Sequence, residues 1–493
     1  MMYLSKSDYL KYLICPSYLW LWKNKPEVVP VDDDESIKQR LEQGNEIERY
    51  ARMLFPEGSL VETRGKSART DTEKLVAKGA KTIFQATVMT DEGLLAMADV
   101  ITRGDSPDSW VLYEVKSTNS IKKEHILDLT FQRVAFEDAG YKIGKIKIIY
   151  LNKDYERQSD VDPKKLLLEA DVTADTDELI EVVRAQTKDA LEWLQRKDEP
   201  KTCSCRLNSR SKHCPTFHYL NPDVPEYSVF NISRIGGKKL AVLIDGYTLN
   251  VEDVPEDIKL TVIQQNQVDV AKSKQPKIDK QAIAERLSEL EFPLYFLDYE
   301  TVSTALPVFN KCRPYQQIPF QYSLHILREL NGELEHYEYL ARDSKTLPAH
   351  DLLKALSTQV SDTGSVITWN KSFEAGRNRE MAAQYPEYNE LMESVNDRVF
   401  DLMEIFSKQH YVHHDFKGSS SIKKVLPVLV DGFTYDDMDI SNGQTAALRW
   451  YEAVTSDDSD LAHKTYKSLL EYCKLDTLAM VEIYKKLMVI SNE

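Results

Sequence analysis

Two sets of acidic residues stand at the ends of apolar runs in this chain of 493 residues. The first joins Asp99, which closes the run Leu94-Leu95-Ala96-Met97-Ala98, to Glu114 and Lys116, which follow Trp110-Val111-Leu112-Tyr113. The second starts with Asp298 and Glu300 after Leu294-Tyr295-Phe296-Leu297 and continues at Glu374 and Asp476. A carboxylate stranded at the end of a hydrophobic strand is costly unless something cationic compensates it. A divalent metal ion is one such compensation, and it can also stabilise a scissile phosphate and activate water. Two such sets predict two metal-dependent hydrolytic sites.

In the first set, Glu114 and Lys116 are two residues apart, so on a strand their side chains share a face. That spacing puts an ammonium beside the water it would orient. Asp128, Gln132 and Phe136 follow at helical spacing on one face. Upstream, Glu48 lies four residues after Gly44 and offers a hard oxygen donor. The plainer alternatives are a salt-bridged strand end and an exposed helical glutamate. The ordered pattern Asp99…Glu114-x-Lys116…Gln132 resembles the RecB-type branch of the PD-(D/E)XK nucleases. The resemblance implies that Asp99 and Glu114 hold Mg²⁺ or Mn²⁺, with Glu48 as a further ligand where that branch has histidine. It also implies catalytic roles for Lys116 and Gln132. Phe136 departs from the family, which has tyrosine there.

Six cysteines are present, and in a chain of this size clustered ones point to metal rather than disulfides. Cys15 precedes the first acidic set, while Cys203, Cys205 and Cys214 follow it. Four thiolates suit an iron–sulfur cluster or Zn²⁺. This layout resembles the iron–sulfur RecB-family exonucleases, including CRISPR-associated ones, which implies a [4Fe-4S] cluster. The spacing Cys203-x-Cys205 is shorter than the family's, which leaves Zn²⁺ open, with His213 or His218 as a substitute ligand. Cys312 and Cys473 read as buried singletons.

The second set runs Phe296-Leu297-Asp298-Tyr299-Glu300-Thr301, then Asn370-Lys371-Ser372-Phe373-Glu374, then Tyr472-Cys473-Lys474-Leu475-Asp476. Order and spacing resemble the three motifs of DnaQ-like exonucleases, with Glu374 where aspartate is usual. The resemblance implies that Asp298, Glu300, Glu374 and Asp476 hold two metal ions. Tyr472, one helical turn before Asp476, would reach the attacking water. Asp401 ends another apolar run and is given a supporting role. Taken whole, the chain resembles a bacterial family in which a RecB-like domain precedes a domain of unknown function with DnaQ-like motifs.

The elements needed to position these residues are legible as periodicities. A helix is predicted over 121–139, with Gly140 as its cap, between strands at 110–114 and 146–151. Amphipathic helices are predicted over 36–54 and 177–196. Further on, a strand is expected over 294–297, a hairpin over 320–340 turning at Asn331-Gly332, and a last helix over 461–488. The expected fold class is α/β. By the resemblances above, residues 1–221 are expected to form a PD-(D/E)XK restriction-endonuclease-like domain, 222–290 a helical connector, and 291–493 an RNase H-like, DnaQ-type domain. No apolar run approaches the roughly 18 residues that span a bilayer, and the start of the chain has neither a basic region nor a small-residue cleavage site. A cytoplasmic protein with no membrane partner is expected. The net charge of −16 argues only weakly against nucleic acid, because metal-site carboxylates enter that sum. The expected function is two-site metal-dependent hydrolysis of nucleic acid, as an exonuclease on single-stranded DNA ends. The alternatives are an RNA exonuclease working from the C-terminal site alone, and a nucleic-acid-binding scaffold with degenerate sites.

Overall fold

The computed structural model describes residues 2–30, 35–106, 108–343, 345–435 and 438–492. The chain is mixed α/β and divides into two compact units. One comprises Met1–Val224 and Thr304–Tyr315, the other Pro225–Ser303 and Gln316–Glu493.

In the first unit, α1 (Lys6–Ile14), α2 (Pro16–Asn24) and α3 (Glu35–Arg52) precede the long strands β1 (Thr82–Met89), β2 (Leu94–Arg103) and β3 (Ser109–Lys116). Then come α4 (Lys123–Asp138), β4 (Lys142–Leu151), β5 (Leu167–Asp171) and α5 (Thr173–Leu194). The sheet runs β1-β2-β3-β4-β5, extended beyond β1 by Ser59–Leu60, while Leu4–Ser5 pairs alongside β2. Within β1 to β5 neighbours are antiparallel except β3 with β4, which are parallel because α4 carries the chain back across the sheet, and the two short strands also pair in parallel. The helix α4 buries Ile126, Leu129, Phe131 and Val134 in the core beneath the sheet. It stops at Gly140, whose φ of +90° suits a residue without Cβ. Phe136 is fully buried and packs edge-on against Tyr141, so it is a core residue rather than part of the acidic set.

The second unit has a five-stranded sheet in the order β8 (Leu334–Leu340), β7 (Ile318–Leu327), β6 (Leu294–Val302), β9 (Ser365–Thr368), β10 (Val399–Asp401). The hairpin β7–β8 turns where expected, with Asn331 at φ +63°. Across the other edge of β6 the pairing becomes parallel, first to β9 and then to β10. Helix α6 (Lys371–Gln384) follows β9, α7 (Ile422–Leu429) follows β10, and α8 (Ser459–Asn492) packs over β6 and β7. Residues 222–290 are not set apart as a connector. Pro225–Ser303 belongs to the second unit, where the helix Lys280–Leu287 packs on α8. Its lysines serve the fold: Lys272 donates to the Val254 carbonyl at 2.7 Å and Lys277 to Asn266 Oδ1 at 2.7 Å.

Thr304–Tyr315, between β6 and β7, packs in the first unit. There the Ala305 N–H donates to Gln43 Oε1 at 2.9 Å, and Arg157 Nη1 donates to the Pro307 carbonyl at 2.8 Å. Among the described residues no helix is long and apolar enough to cross a membrane.

Candidate functional site

Three groups of potential metal ligands deserve comparison, and the chain brings them together by different means. The four cysteines come from the α1–α2 junction and from the stretch after α5. Cys15, Cys203, Cys205 and Cys214 are all buried, and their sulfurs lie within 4.8 Å of one another. Cys203 Sγ is 3.8 Å from Cys15 Sγ and 3.6 Å from Cys214 Sγ. Hydrogen bonds from Cys203 and Cys214 pull the Cys15 thiol far down, while the hydrogen bond to Cys15 pushes Cys203 up. Packed this closely, the sulfurs cannot all be thiolates unless a cation sits among them. His213 stays outside: its ring stacks on Phe217 at 3.5 Å and its Nε2 faces the Asn208 carbonyl at 3.1 Å. Cys312 is buried and does not belong to this group.

The first acidic set gathers just past Val100 and Tyr113, the last residues at which β2 and β3 pair with each other, with Asp99 in the middle of β2 and Glu114 near the end of β3. Asp99 Oδ2 accepts from the Val115 N–H at 2.8 Å, and burial, reinforced by the Glu114 charge, pushes its carboxyl up to about 8. Glu114 is different. It is buried, but the ammonium groups of Lys6 and Lys116, each 2.7 Å from Oε1, outweigh burial and hold it ionised, well below the usual carboxylate range. Gln132 Nε2 donates to Glu114 Oε2 at 2.5 Å, and Lys116 also reaches Asp128 Oδ2 at 2.6 Å. Glu48 is paired with Arg52 at 2.5 Å and accepts from Gln85. Asp99, Glu114, Lys116 and Gln132 are therefore neighbours, but no trio of ligand atoms including Asp99 and Glu114 closes to within 4.8 Å among the described residues. Lys6 was not foreseen. It follows a two-residue strand that pairs with Leu94–Leu95, and nothing local in the sequence marks it.

The second set does converge. Asp298 and Glu300 lie on the central strand β6 and Asp476 on α8, with one ligand atom from each within 4.8 Å of the others. Burial, with the charge of Asp476, pushes Asp298 well above the carboxylate range and Glu300 up to about 8. Asp476 rises to about 6 through burial, restrained by the Tyr435 hydroxyl, which donates to Oδ1 at 2.6 Å. Glu374, on α6, is buried with Oε2 lacking any partner, and burial beside Asp401 pushes it up to about 8. Asp401 Oδ1 is orphaned in the same way. Such unpaired buried acceptors are rare in folded proteins, and a divalent cation would satisfy them. Tyr472 is buried against these carboxylates, with Lys423 Nζ 3.4 Å from its hydroxyl. Cys473, expected as a plain buried singleton, has its Sγ 3.7 Å from Asp298 Oδ2. Tyr435 and Lys423 had no motif to announce them, since each meets α8 only through the folded chain.

The raised carboxylates set a pH dependence. A group whose pKa is raised on folding contributes stability that is full below its unfolded value, about 4, and is lost as pH rises through the folded one. Asp99, Glu300 and Glu374, each raised to about 8, act in this direction. Thermal melts in chelator are expected to fall between pH 5 and pH 9, and added Mg²⁺ or Mn²⁺ is expected to flatten the decline. A midpoint that is flat or rises over that range in chelator would contradict the assigned environments.

Residues 295–421 match the family model described as a domain of unknown function (DUF2779). The match takes in Asp298, Glu300, Glu374 and Asp401 and stops short of Tyr472 and Asp476. The chain is 30% identical over 212 residues to an uncharacterized protein of Mycoplasma pneumoniae, covering 39% of this chain and 32% of that one. Over 281 residues it is 25% identical to an uncharacterized protein of Ureaplasma parvum, covering 52% of this chain and 40% of the relative. The matches thus span about a third to two fifths of the curated relatives' length.

Proposed function

We propose that the chain is a metal-dependent nuclease with two sites, trimming the ends of single-stranded nucleic acid, DNA in preference to RNA. The observation that carries this reading is the meeting of Asp298, Glu300 and Asp476 around one point, with the unpaired Glu374 Oε2 buried in the same site. Asp298, Glu300, Glu374 and Asp476 would hold Mg²⁺ or Mn²⁺. When bound, such ions supply charge stabilisation at the scissile phosphate and lower the pKa of water. The Tyr472 hydroxyl, 3.4 Å from Lys423 Nζ, would orient the attacking water, and Lys423 would offset the carboxylate charge. The mixed sheet with its acidic central strand supports an RNase H-like fold for the second unit. In the first unit, the order antiparallel, antiparallel, helix, parallel supports a PD-(D/E)XK-like core. The test is hydrolysis of end-labelled single-stranded DNA that stops in chelator and returns with Mn²⁺; cleavage indifferent to metal would refute the proposal.

At the first site Lys6 and Lys116 already neutralise Glu114, so the residues present fit a cation less well than those of the second. Lys116 is proposed to position water, Gln132 to hold Glu114 in place, and Asp99 with Glu114 to bind metal. Lys116→Ala is then expected to remove turnover at this site and leave metal binding intact, because an ammonium is not a ligand. Calorimetry with Mn²⁺ checks this, and loss of binding in Lys116→Ala would show the roles to be misassigned.

For the cysteines, sulfur separations of 3.6 and 3.8 Å favour one tetrahedral ion. Zinc–sulfur bonds of about 2.3 Å place neighbouring ligands about 3.8 Å apart. In a [4Fe-4S] cluster each thiolate caps a different iron, which would require the four sulfurs to stand farther apart than they do. We therefore place Zn²⁺ ahead of the cluster, in a reducing compartment such as the cytoplasm.

A further inference from the structure

A cavity of about 620 Å³ in the second unit is lined by none of the converged carboxylates and has no role in their site. Its lining contains no aspartate or glutamate, which is unusual in a chain of net charge −16. Arg234, Gln409, Tyr411 and His413 line it, with the aromatic ring of Phe406 and the hydroxyls of Ser419 and Ser420.

Three lining residues hold left-handed backbone: Arg234 at φ +49°, Gln409 at φ +69° and Gly418 at φ +77°. Such conformations are uncommon at a non-glycine residue and gather at functional sites. At Gly418 the geometry also demands glycine, since a Cβ would stand 2.4 Å from Gln267 Nε2. Two lining groups lack partners. The Arg234 guanidinium is exposed and makes no hydrogen bond or ion pair among the described residues, and Gln409 Oε1 is buried without a donor. The cavity is tied to the carboxylates through one loop. The Ser420 carbonyl accepts from Trp369 Nε1 at 3.1 Å, one residue before Asn370 and α6. Three residues after Ser420, Lys423 reaches Tyr472.

We propose that this cavity binds an unpaired nucleotide of the substrate strand, upstream of the end being cut, with Arg234 on a phosphate and the Gln409 amide reading the base. The inference rests on the proposed nuclease reading. Its ligand class follows from a free cation, an acid-free wall, amide and hydroxyl groups, and aromatic rings, the combination that grips single-stranded nucleic acid. The volume lies within the range of small-molecule sites.

The experiment separates binding from catalysis. Anisotropy of a fluorescein-labelled oligothymidylate is measured in chelator with the full chain, Arg234→Ala and Gln409→Asn, the last chosen because asparagine tolerates the left-handed backbone. Turnover of the p-nitrophenyl ester of thymidine 5′-monophosphate with Mn²⁺ is measured in parallel, because that substrate ends before the cavity. Each variant is expected to weaken oligonucleotide binding roughly tenfold and to leave ester turnover unchanged. Wild-type affinity in both variants would overturn the proposal, as would a wild-type protein that binds the mononucleotide as tightly as the strand. Failure of the nuclease reading itself shows separately, as a wild-type protein that does not turn over the ester.

Discussion

Asp298→Ala is expected to lower exonuclease turnover by several orders of magnitude. Asp298 sits on the central strand of the second unit and meets Glu300 and Asp476, so its loss removes one of the three ligands from the point where they converge. Tyr472→Phe is expected to cost less, because it removes one positioned hydroxyl and leaves the ligands standing. Losing a single positioning or acid–base group typically costs about 10²–10⁴-fold. Steady-state rates for the two variants on one labelled strand give the comparison directly. Equal losses would mean that Tyr472 is as essential as a ligand. A mild loss in Asp298→Ala would mean that the convergence of carboxylates is structural.

The second large effect concerns stability. Cys15→Ser is expected to release the metal held by the four cysteines and to lower the thermal midpoint of the first unit. Cys15 lies 188 residues from its neighbour Cys203, so the metal closes a loop nearly as long as the unit itself. Binding energy at such a site is folding energy, because the unfolded chain offers no assembled ligand set. One zinc per chain in wild type and none in the variant is the expected elemental analysis, with colourless protein. Brown protein carrying iron and acid-labile sulfide would establish the cluster instead and show that the sulfurs spread to receive it.

The sequence carried the parts of these sites that are local. Glu114 with Lys116, and Asp298 with Glu300, are pairs two apart on a strand, so their shared face follows from the pleat. Tyr472 and Asp476 follow likewise from one helical turn, and the hairpin from Asn331-Gly332. What it did not carry is contact over long separations. Lys6 meets Glu114 across 108 residues, and no periodicity in either segment records the meeting. Lys423, in the first turn of α7, and Tyr435, beyond that helix, reach α8 from segments whose spacing encodes nothing about it. The segment Thr304–Tyr315 gave no sign of packing outside its own sheet, since it offers backbone groups and the side chains that meet them, Gln43 and Arg157, lie far away along the chain. Glu48 kept its place in the pattern but found Arg52, one helical turn on, as a partner. Residues 222–290 were read as a connector because proline interrupts their periodicity, yet their helices bury Val268, Ile283 and Leu287.

The central claim is that the converged carboxylates of the second unit cut nucleic acid from an end. The most direct measurement is digestion of 5′-labelled single-stranded DNA and RNA with Mg²⁺ or Mn²⁺ by wild type, Asp99→Ala, Asp298→Ala and the double variant. The account predicts mononucleotides released from the 3′ end by wild type and by Asp99→Ala, and no such trimming by Asp298→Ala or the double variant. Undiminished 3′ trimming by Asp298→Ala would contradict it.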